Sequence, residues 1–131
     1  MAKYATYNFE LYQGADEIYP VAFYNTDKNS KTPMEFTNAC EYKMTVEDAA
    51  GVFYDELSYS NGRIKLGVVE DSEFIETIEG ANALLLLFPH EVTEKFTLPA
   101  LVYDLFQIMP DDTRNILLHG KIVMRKSVTY D

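Results

Sequence analysis

The second half of the chain decides the fold, because short apolar runs follow one another there between turn residues. The runs are Ala83-Leu84-Leu85-Leu86-Leu87-Phe88, Leu101-Val102-Tyr103-Asp104-Leu105 and Ile116-Leu117-Leu118-His119-Gly120-Lys121-Ile122-Val123-Met124. Six consecutive apolar residues have the length of a strand and are too few for an ordinary helix, so residues 83–88 predict a strand buried on both faces. The second half therefore predicts one strand after another.

Turn residues divide these runs. Asn61-Gly62 is the strongest hairpin signal of the chain, and it predicts that residues 52–59 and 63–69 pair with each other. Gly120 predicts a bulge or bend between a strand at 114–119 and another at 121–129. Residues 89–96 begin with a proline and have helix-compatible composition, which predicts one or two turns of helix.

The first half shows the period of two that strands require. Phe9 and Leu11 alternate with polar residues, and so do Tyr42, Met44 and Val46. Pro20 cannot donate a ladder hydrogen bond, so either the strand predicted at 18–24 lies at an edge of its sheet or Pro20 stands at the beginning of that strand. Two polar segments are less regular. Residues 25–32 predict a loop, and the acidic residues 70–79 predict either a loose strand or a mobile surface loop.

About eight strands at spacings of 8 to 15 residues are typical of a β-sandwich or a small barrel. We therefore predict an all-β fold, an antiparallel immunoglobulin-like β-sandwich with one short helical turn. At 131 residues the chain has the length of a single domain, 1–131, that can bury its own core. Ten Tyr and eight Phe favour strands over helices.

The net charge limits the partners. A formal charge of −10 repels phosphate backbones and anionic lipids, so we expect no direct nucleic acid and no membrane partner. A basic protein surface remains a possible partner. No run reaches the length of a membrane span, so we expect a protein that stays soluble in the cytoplasm until it is assembled.

Residues able to do chemistry are scattered. Cys40 is the single cysteine, and His90 and His119 each lack a second histidine at ligand spacing. Asp104 stands in an apolar strand, where it is either an acid of raised pKa or a carboxylate that meets donors or solvent. The glycines form no phosphate-binding motif. We therefore predict no enzyme, no catalytic residue, no metal site and no cofactor.

The order of these features resembles a known family: the small β-sandwich domains of tailed-bacteriophage and prophage virions, in baseplate upper proteins and in tail or fibre adaptor proteins. The resemblance covers most of the chain, and the acidic residues 70–79 depart from it. It is carried by Tyr12-Gln13-Gly14, Thr37 before the Tyr42-Met44-Val46 strand, Asn61-Gly62-Arg63-Ile64 with Leu66-Gly67, the run ending in Phe88, the 89–96 turn, Tyr103-Asp104-Leu105, and Gly120-Lys121-Ile122-Val123 ending near Val128-Thr129.

The resemblance implies a structural protein of the virion, in the tail, collar, baseplate or fibre attachment, whose partners are other virion proteins and copies of itself. The terminal strands are the easiest to extend, so we expect contacts near Tyr4, Tyr7, Val128 and Tyr130. An alternative function is a carbohydrate-binding sandwich that uses surface tyrosines as stacking platforms. A hydrolase would need a pocket that joins a histidine to an acid and a nucleophile.

Overall fold

The computed structural model describes residues 5–27 and 30–126, without the side chains of residues 5, 25–27 and 30–33. This part of the chain forms twelve strands and one helical turn. They are β1 (Ala5–Thr6), β2 (Phe9–Tyr12), β3 (Glu17–Ala22), β4 (Tyr24–Asp27), β5 (Ser30–Pro33), β6 (Glu41–Glu47), β7 (Phe53–Ser58), β8 (Ile64–Glu70), β9 (Glu73–Glu76), β10 (Ala83–Phe88), α1 (His90–Thr93), β11 (Ala100–Ile108) and β12 (Arg114–Arg125).

One sheet has six strands, in the order β1-β12-β11-β6-β7, with β2 also paired to β12. The pairs β12-β11, β11-β6 and β6-β7 are antiparallel. In contrast, β1 and β2 run parallel to β12, so the sheet is mixed at this edge and the expected purely antiparallel arrangement is wrong there. We call this layer the six-stranded sheet.

The second sheet has four antiparallel strands in the order β3-β10-β8-β9, and we call it the four-stranded sheet. Pro20 lies in its edge strand β3, the first of the two positions that its missing N–H predicts. A separate two-stranded ribbon, β4-β5, follows from β3, so the loop predicted at 25–32 is wrong. Polar composition does not prevent two short segments from pairing through their backbones.

The two sheets enclose one apolar core, which confirms the β-sandwich. Strand β6 alternates as predicted, with Tyr42, Met44 and Val46 all completely buried. The strand order β12-β11-β6-β7 in one sheet against β3-β10-β8 in the other is that of an immunoglobulin-like sandwich. The predicted helical turn is present as α1.

The hairpin predicted at Asn61-Gly62 is wrong, because β7 lies in the six-stranded sheet and β8 in the four-stranded sheet. Asn61 instead closes the end of β7: its Oδ1 accepts hydrogen bonds from the Ser58 and Arg63 amides at 3.0 and 2.9 Å. Its Nδ2 donates to the Glu56 carbonyl at 3.2 Å. The turn is therefore the crossing between the layers.

The hairpin of this region lies one connection later, between β8 and β9. The acidic segment supplies β9, so of its two predicted states the strand is the one the structure adopts. Asp71 and Ser72 make the turn with φ of 50° and 65°, a conformation that usually selects Asn-Gly. Asp71-Ser72 is not such a dipeptide, so the sequence did not predict a hairpin at this position.

The strand boundary predicted at Gly120 is also wrong, because β12 continues through it. The register shift of β12 lies instead where Leu105 and Phe106 pair with Leu118 and Ile116. A Cβ on Gly120 would lie 2.1 Å from the Tyr7 carbonyl oxygen. Gly120 thus lets the first strands approach β12 closely at the break between β1 and β2.

Candidate binding surface

The outer surface of the four-stranded sheet is apolar on β3 and β10, and the Lys65–Glu76 ion pair lies beside this apolar part on β8 and β9. Leu84, Leu86 and Phe88 point into the core, so Leu85 and Leu87 face outward and are half-buried. On the edge strand, Pro20 pairs with Leu85 and Ile18 pairs with Leu87; both β3 residues are exposed, Ile18 to 59%. We call this surface, extended by Val69 and Phe74 on the other side, the apolar face.

The ring of Phe74, on β9, lies over Gly67 of the neighbouring strand β8. Gly67 shares the outer side of β8 with Val69, and Val69 pairs with Phe74. A Cβ on Gly67 would lie 2.5 Å from Phe74 Cζ and 2.2 Å from the Ile75 carbonyl oxygen. The absent side chain is therefore what lets β9 approach and the Phe74 ring cover the sheet.

A shallow groove of about 300 Å³ ends the apolar face. Ile18, Leu87 and Pro89 form its apolar lining, and Asp16 and Glu17 stand beside them. The groove is open to solvent, so it offers a contact surface for a side chain of another molecule and no enclosed chamber.

Arg63 lies at this groove but is already engaged. Its guanidinium donates to both Asp55 carboxylate oxygens, at 2.6 and 3.3 Å, and its Nε donates to the Leu87 carbonyl at 2.9 Å. The side chains of Arg63 and Asp55 are only 19% and 12% exposed. This bidentate pair ties the six-stranded sheet to the four-stranded sheet.

Asp16, which lines the groove, is bonded to His90 at the start of α1. The Asp16 carboxylate accepts from the His90 amide at 2.7 Å, and lies 3.0 Å from His90 Nδ1. These hydrogen bonds lower the pKa of the Asp16 carboxyl, and the bond to Asp16 raises the pKa of His90. Both side chains are exposed, so the pair is a solvated one.

The outer surface of the six-stranded sheet is different, because a polar row crosses its centre. Thr6 pairs with His119 across the strands, His119 with Asp104, and Asp104 with Thr45. Thr6 Oγ1 and His119 Nε2 are hydrogen bonded at 3.0 Å. Burial raises the pKa of the Asp104 carboxyl, the charge of Glu47 adds to that rise, and His119 opposes it.

The row places a hydroxyl, an imidazole and a carboxylate next to one another on the sheet. No local motif of the sequence contains these three groups together. Such a set hydrolyses esters or amides only beside donors that stabilise an oxyanion. The neighbouring Tyr7 and Lys121 amides are already used, at 2.9 Å to the His119 carbonyl and 2.8 Å to Asn8 Oδ1. Cross-strand pairing is sufficient to explain the row.

The predicted contact residues at the chain ends are mostly not described. Tyr4, Val128 and Tyr130 lie outside the described residues. Tyr7 is 42% exposed, and its carbonyl accepts from the Tyr103 hydroxyl at 2.5 Å. Its ring is stacked on the buried Phe9, with centroids 5.8 Å apart, and not on a second exposed tyrosine.

The residues of the apolar face were not selected from the sequence. One signal pointed to them: the unbroken apolar run at 83–88 predicts burial on both sides. The structure covers Leu84, Leu86 and Phe88 but leaves Leu85 and Leu87 half-buried. The apolar run therefore gives β10 an apolar outer side that the described fold does not fully cover.

Residues 5–27 and 30–126 contain neither a metal-binding cluster nor a membrane-spanning helix. No group of three or more His, Cys, Asp or Glu in this part of the chain is arranged to hold a metal ion. No helix within it is long and apolar enough to cross a membrane. Cys40 is a buried free thiol, as a small core residue would be.

Comparisons with known proteins do not assign the chain to a family. No protein-family model matches it, and no curated protein matches it.

Proposed function

We propose that the chain is a structural component of a tailed-bacteriophage virion, an assembly domain that binds a neighbouring virion protein through its apolar face. The observation that carries the proposal is the outward group of Ile18, Pro20, Leu85 and Leu87 in a protein of formal charge −10. Contiguous apolar surface rimmed by charges is typical of a protein interaction site.

The physical reason is the release of apolar surface from water. Each exposed aliphatic side chain that a partner buries contributes roughly 25 cal/mol per Å². The rigid sheet holds these side chains before binding, so little conformational entropy is lost when the partner docks. A preformed apolar sheet surface therefore suits a permanent contact.

The virion setting is supported by the resemblance of the chain to the sandwich domains of phage tails and baseplates. An all-β sandwich is the fold that this resemblance implies. A binding role also agrees with the position of the apolar groups, which lie on an open surface.

The test is incorporation into particles. Ile18→Glu places a charge on the apolar face at its β3 edge, beside the groove, and Val52→Glu is a matched control because Val52 is 56% exposed but lies before β7. Each variant replaces the wild-type gene in the parent phage, and quantitative mass spectrometry measures the chain in purified particles. We expect wild-type levels for Val52→Glu and a loss of at least about tenfold for Ile18→Glu.

Thermal unfolding of both purified variants checks that they remain folded, which we expect because both positions are exposed. Normal incorporation of folded Ile18→Glu would show that the apolar face is not the contact. If particles contain no wild-type chain either, the virion role is wrong.

A further inference from the structure

Asn61 is the one asparagine of seven that precedes a glycine. Asparagine is among the thermolabile side chains, and a following glycine has no Cβ to shield its backbone nitrogen. In an Asn-Gly sequence that nitrogen can give up its proton and attack the asparagine Cγ. The side-chain amide group leaves with a proton as ammonia, and a cyclic succinimide remains. Water then opens the ring to aspartate or isoaspartate, so the reaction is a deamidation with water as the co-reactant.

The turn engages both reacting groups in hydrogen bonds. The Gly62 amide, which holds the attacking nitrogen, donates to the Tyr59 carbonyl at 3.2 Å. The Asn61 side chain makes the three hydrogen bonds described above, and its backbone amide donates to Oγ of the buried Ser58 at 3.0 Å. The attack requires a deprotonated nitrogen and a side chain free to reach it, so these bonds must break before the atoms can react.

We infer that Asn61 is a site of spontaneous deamidation, which the folded turn keeps unreactive and which opening of the turn makes reactive. Asn61 and Gly62 are both exposed, and a Cβ on Gly62 would meet no described atom within 4 Å. Water therefore reaches the site, and it is the hydrogen bonds and not burial that protect it. The inference does not depend on the proposed function, because it concerns the chain's own covalent structure at the crossing between the two sheets.

The products cannot form the same turn again. In aspartate, a carboxylate oxygen replaces the Nδ2 group that donates to the Glu56 carbonyl at 3.2 Å, so two acceptors face each other. In isoaspartate, the oxygen that accepts from the Ser58 and Arg63 amides becomes part of the main chain. Because the ammonia is lost, a turn that has opened and reacted stays loosened. Deamidation therefore marks chains whose sheet crossing has opened.

The first experiment compares the folded and unfolded chain. Peptide mapping by mass spectrometry measures deamidation at Asn61 of the full chain in one mildly alkaline buffer, with and without denaturing guanidinium chloride. We expect the folded chain to react at least about tenfold more slowly, because its reaction waits for local opening. Equal rates would show that the turn does not protect Asn61, and an unfolded chain that does not react there would show that Asn61 is not a site. Either result overturns the inference, and both use the wild-type chain.

Two serine variants test whether the hydrogen bonds are the cause. Ser58→Ala removes the hydroxyl that accepts from the Asn61 amide, so the folded variant should deamidate severalfold faster than wild type. Ser60→Ala is the matched control, because the Ser60 hydroxyl bonds instead to Ser58 Oγ at 3.2 Å, and it should leave the rate unchanged. Circular dichroism checks that both are folded. Equal rates in the two folded variants would contradict protection by these bonds.

A further pair of variants tests the effect of the product. Asn61→Asp reproduces the aspartate form and should lower the urea midpoint of unfolding. Asn115→Asp makes the same change of charge at an exposed position of β12, and should shift the midpoint much less. If both variants unfold at the same urea concentration, the product does not loosen the crossing and that part of the inference is wrong.

Discussion

The outward side chains of the six-stranded sheet are polar at its centre, whereas those of β3 and β10 in the four-stranded sheet are apolar. On the first, Thr6, His119 and Asp104 form a cross-strand row. On the second, Ile18 and Leu87 occupy equivalent outward positions. The inward side chains of both sheets are alike, since both enter one core.

This difference shows that the two halves of an alternating pattern carry separate information. Inward residues reflect the packing of the sandwich core, whereas outward residues reflect whether the outer side of each sheet contacts water or a partner. The polar side chains of the row need only water on their outer side. Outward aliphatic residues give the folded monomer little stability, so their presence favours a partner.

The largest effects are expected where inward and outward neighbours on β10 are compared. Leu86 is completely buried, so Leu86→Ala should lower the free energy of unfolding by about 3 kcal/mol. Leu87 faces outward, and Leu87→Ala should cost less than about 1 kcal/mol. Equilibrium denaturation in urea measures both. Equal costs would mean that the outer side of β10 is already covered in the free protein.

The second effect concerns the ion pair that joins the sheets. Asp55→Ala leaves Arg63 largely buried without its carboxylate, and should cost about 2 to 3 kcal/mol. The control pair lies on the polar surface: Lys43 and Glu56 are 3.8 Å apart and nearly half-exposed, so Lys43→Ala should cost at most about 0.5 kcal/mol. Urea denaturation compares them. A cost for Asp55→Ala no larger than that of the control would show that the sheets do not depend on this pair.

Much of the fold could be predicted because local pattern determines strands. Alternation identified Tyr42, Met44 and Val46 as inward residues of β6, and Pro20 indicated an edge strand. Pairing was not predictable in the same way. Asn61-Gly62 has the local chemistry of a hairpin, but the sheet that each flanking strand joins depends on distant partners.

The candidate surface was less predictable than the fold. The run at 83–88 showed that β10 has two apolar sides, but not which side faces the core or what lies over the other. Gly120 indicated an irregularity in the strand. The residue is a glycine because the Tyr7 carbonyl, more than a hundred residues earlier in the chain, lies too close to it for a side chain. Such close approaches depend on tertiary structure and leave no local pattern beyond the glycine itself.

The third effect is a gain of stability at the hairpin that borders the apolar face. Asp71 and Ser72 both adopt positive φ, which costs a non-glycine residue free energy. Asp71→Asn with Ser72→Gly should therefore raise the free energy of unfolding by about 1 kcal/mol. Ala50→Gly, in a turn where φ is not positive, is the control and should lower it. Urea denaturation compares the two, and a loss of stability in the double variant would contradict this turn geometry.

The smallest effects are expected at the two Asp–His pairs, and these effects should differ. One pair is Asp16 and His90 at the groove, and the other is Asp104 and His119 on the polar row. The pKa of Asp16 is lowered, so its contribution is present above its unfolded pKa and is lost as the pH falls through the folded pKa. The pKa of His90 is raised, so its contribution is present below its unfolded pKa and is lost as the pH rises through the folded pKa. Asp16→Asn should therefore destabilise the protein most between about pH 4 and about pH 6.5.

Asp104 should behave in the opposite sense, because burial raises its pKa. The folded protein then holds the Asp104 proton more tightly than the unfolded chain, so stability falls as the pH rises from about 4 through the folded pKa. Asp104→Asn removes this loss and should be more favourable at pH 7 than at pH 4, relative to wild type. Thermal unfolding across pH measures both variants in parallel. If both Asp→Asn changes follow the same pH dependence, the two outer surfaces do not differ in their electrostatics as the structure indicates.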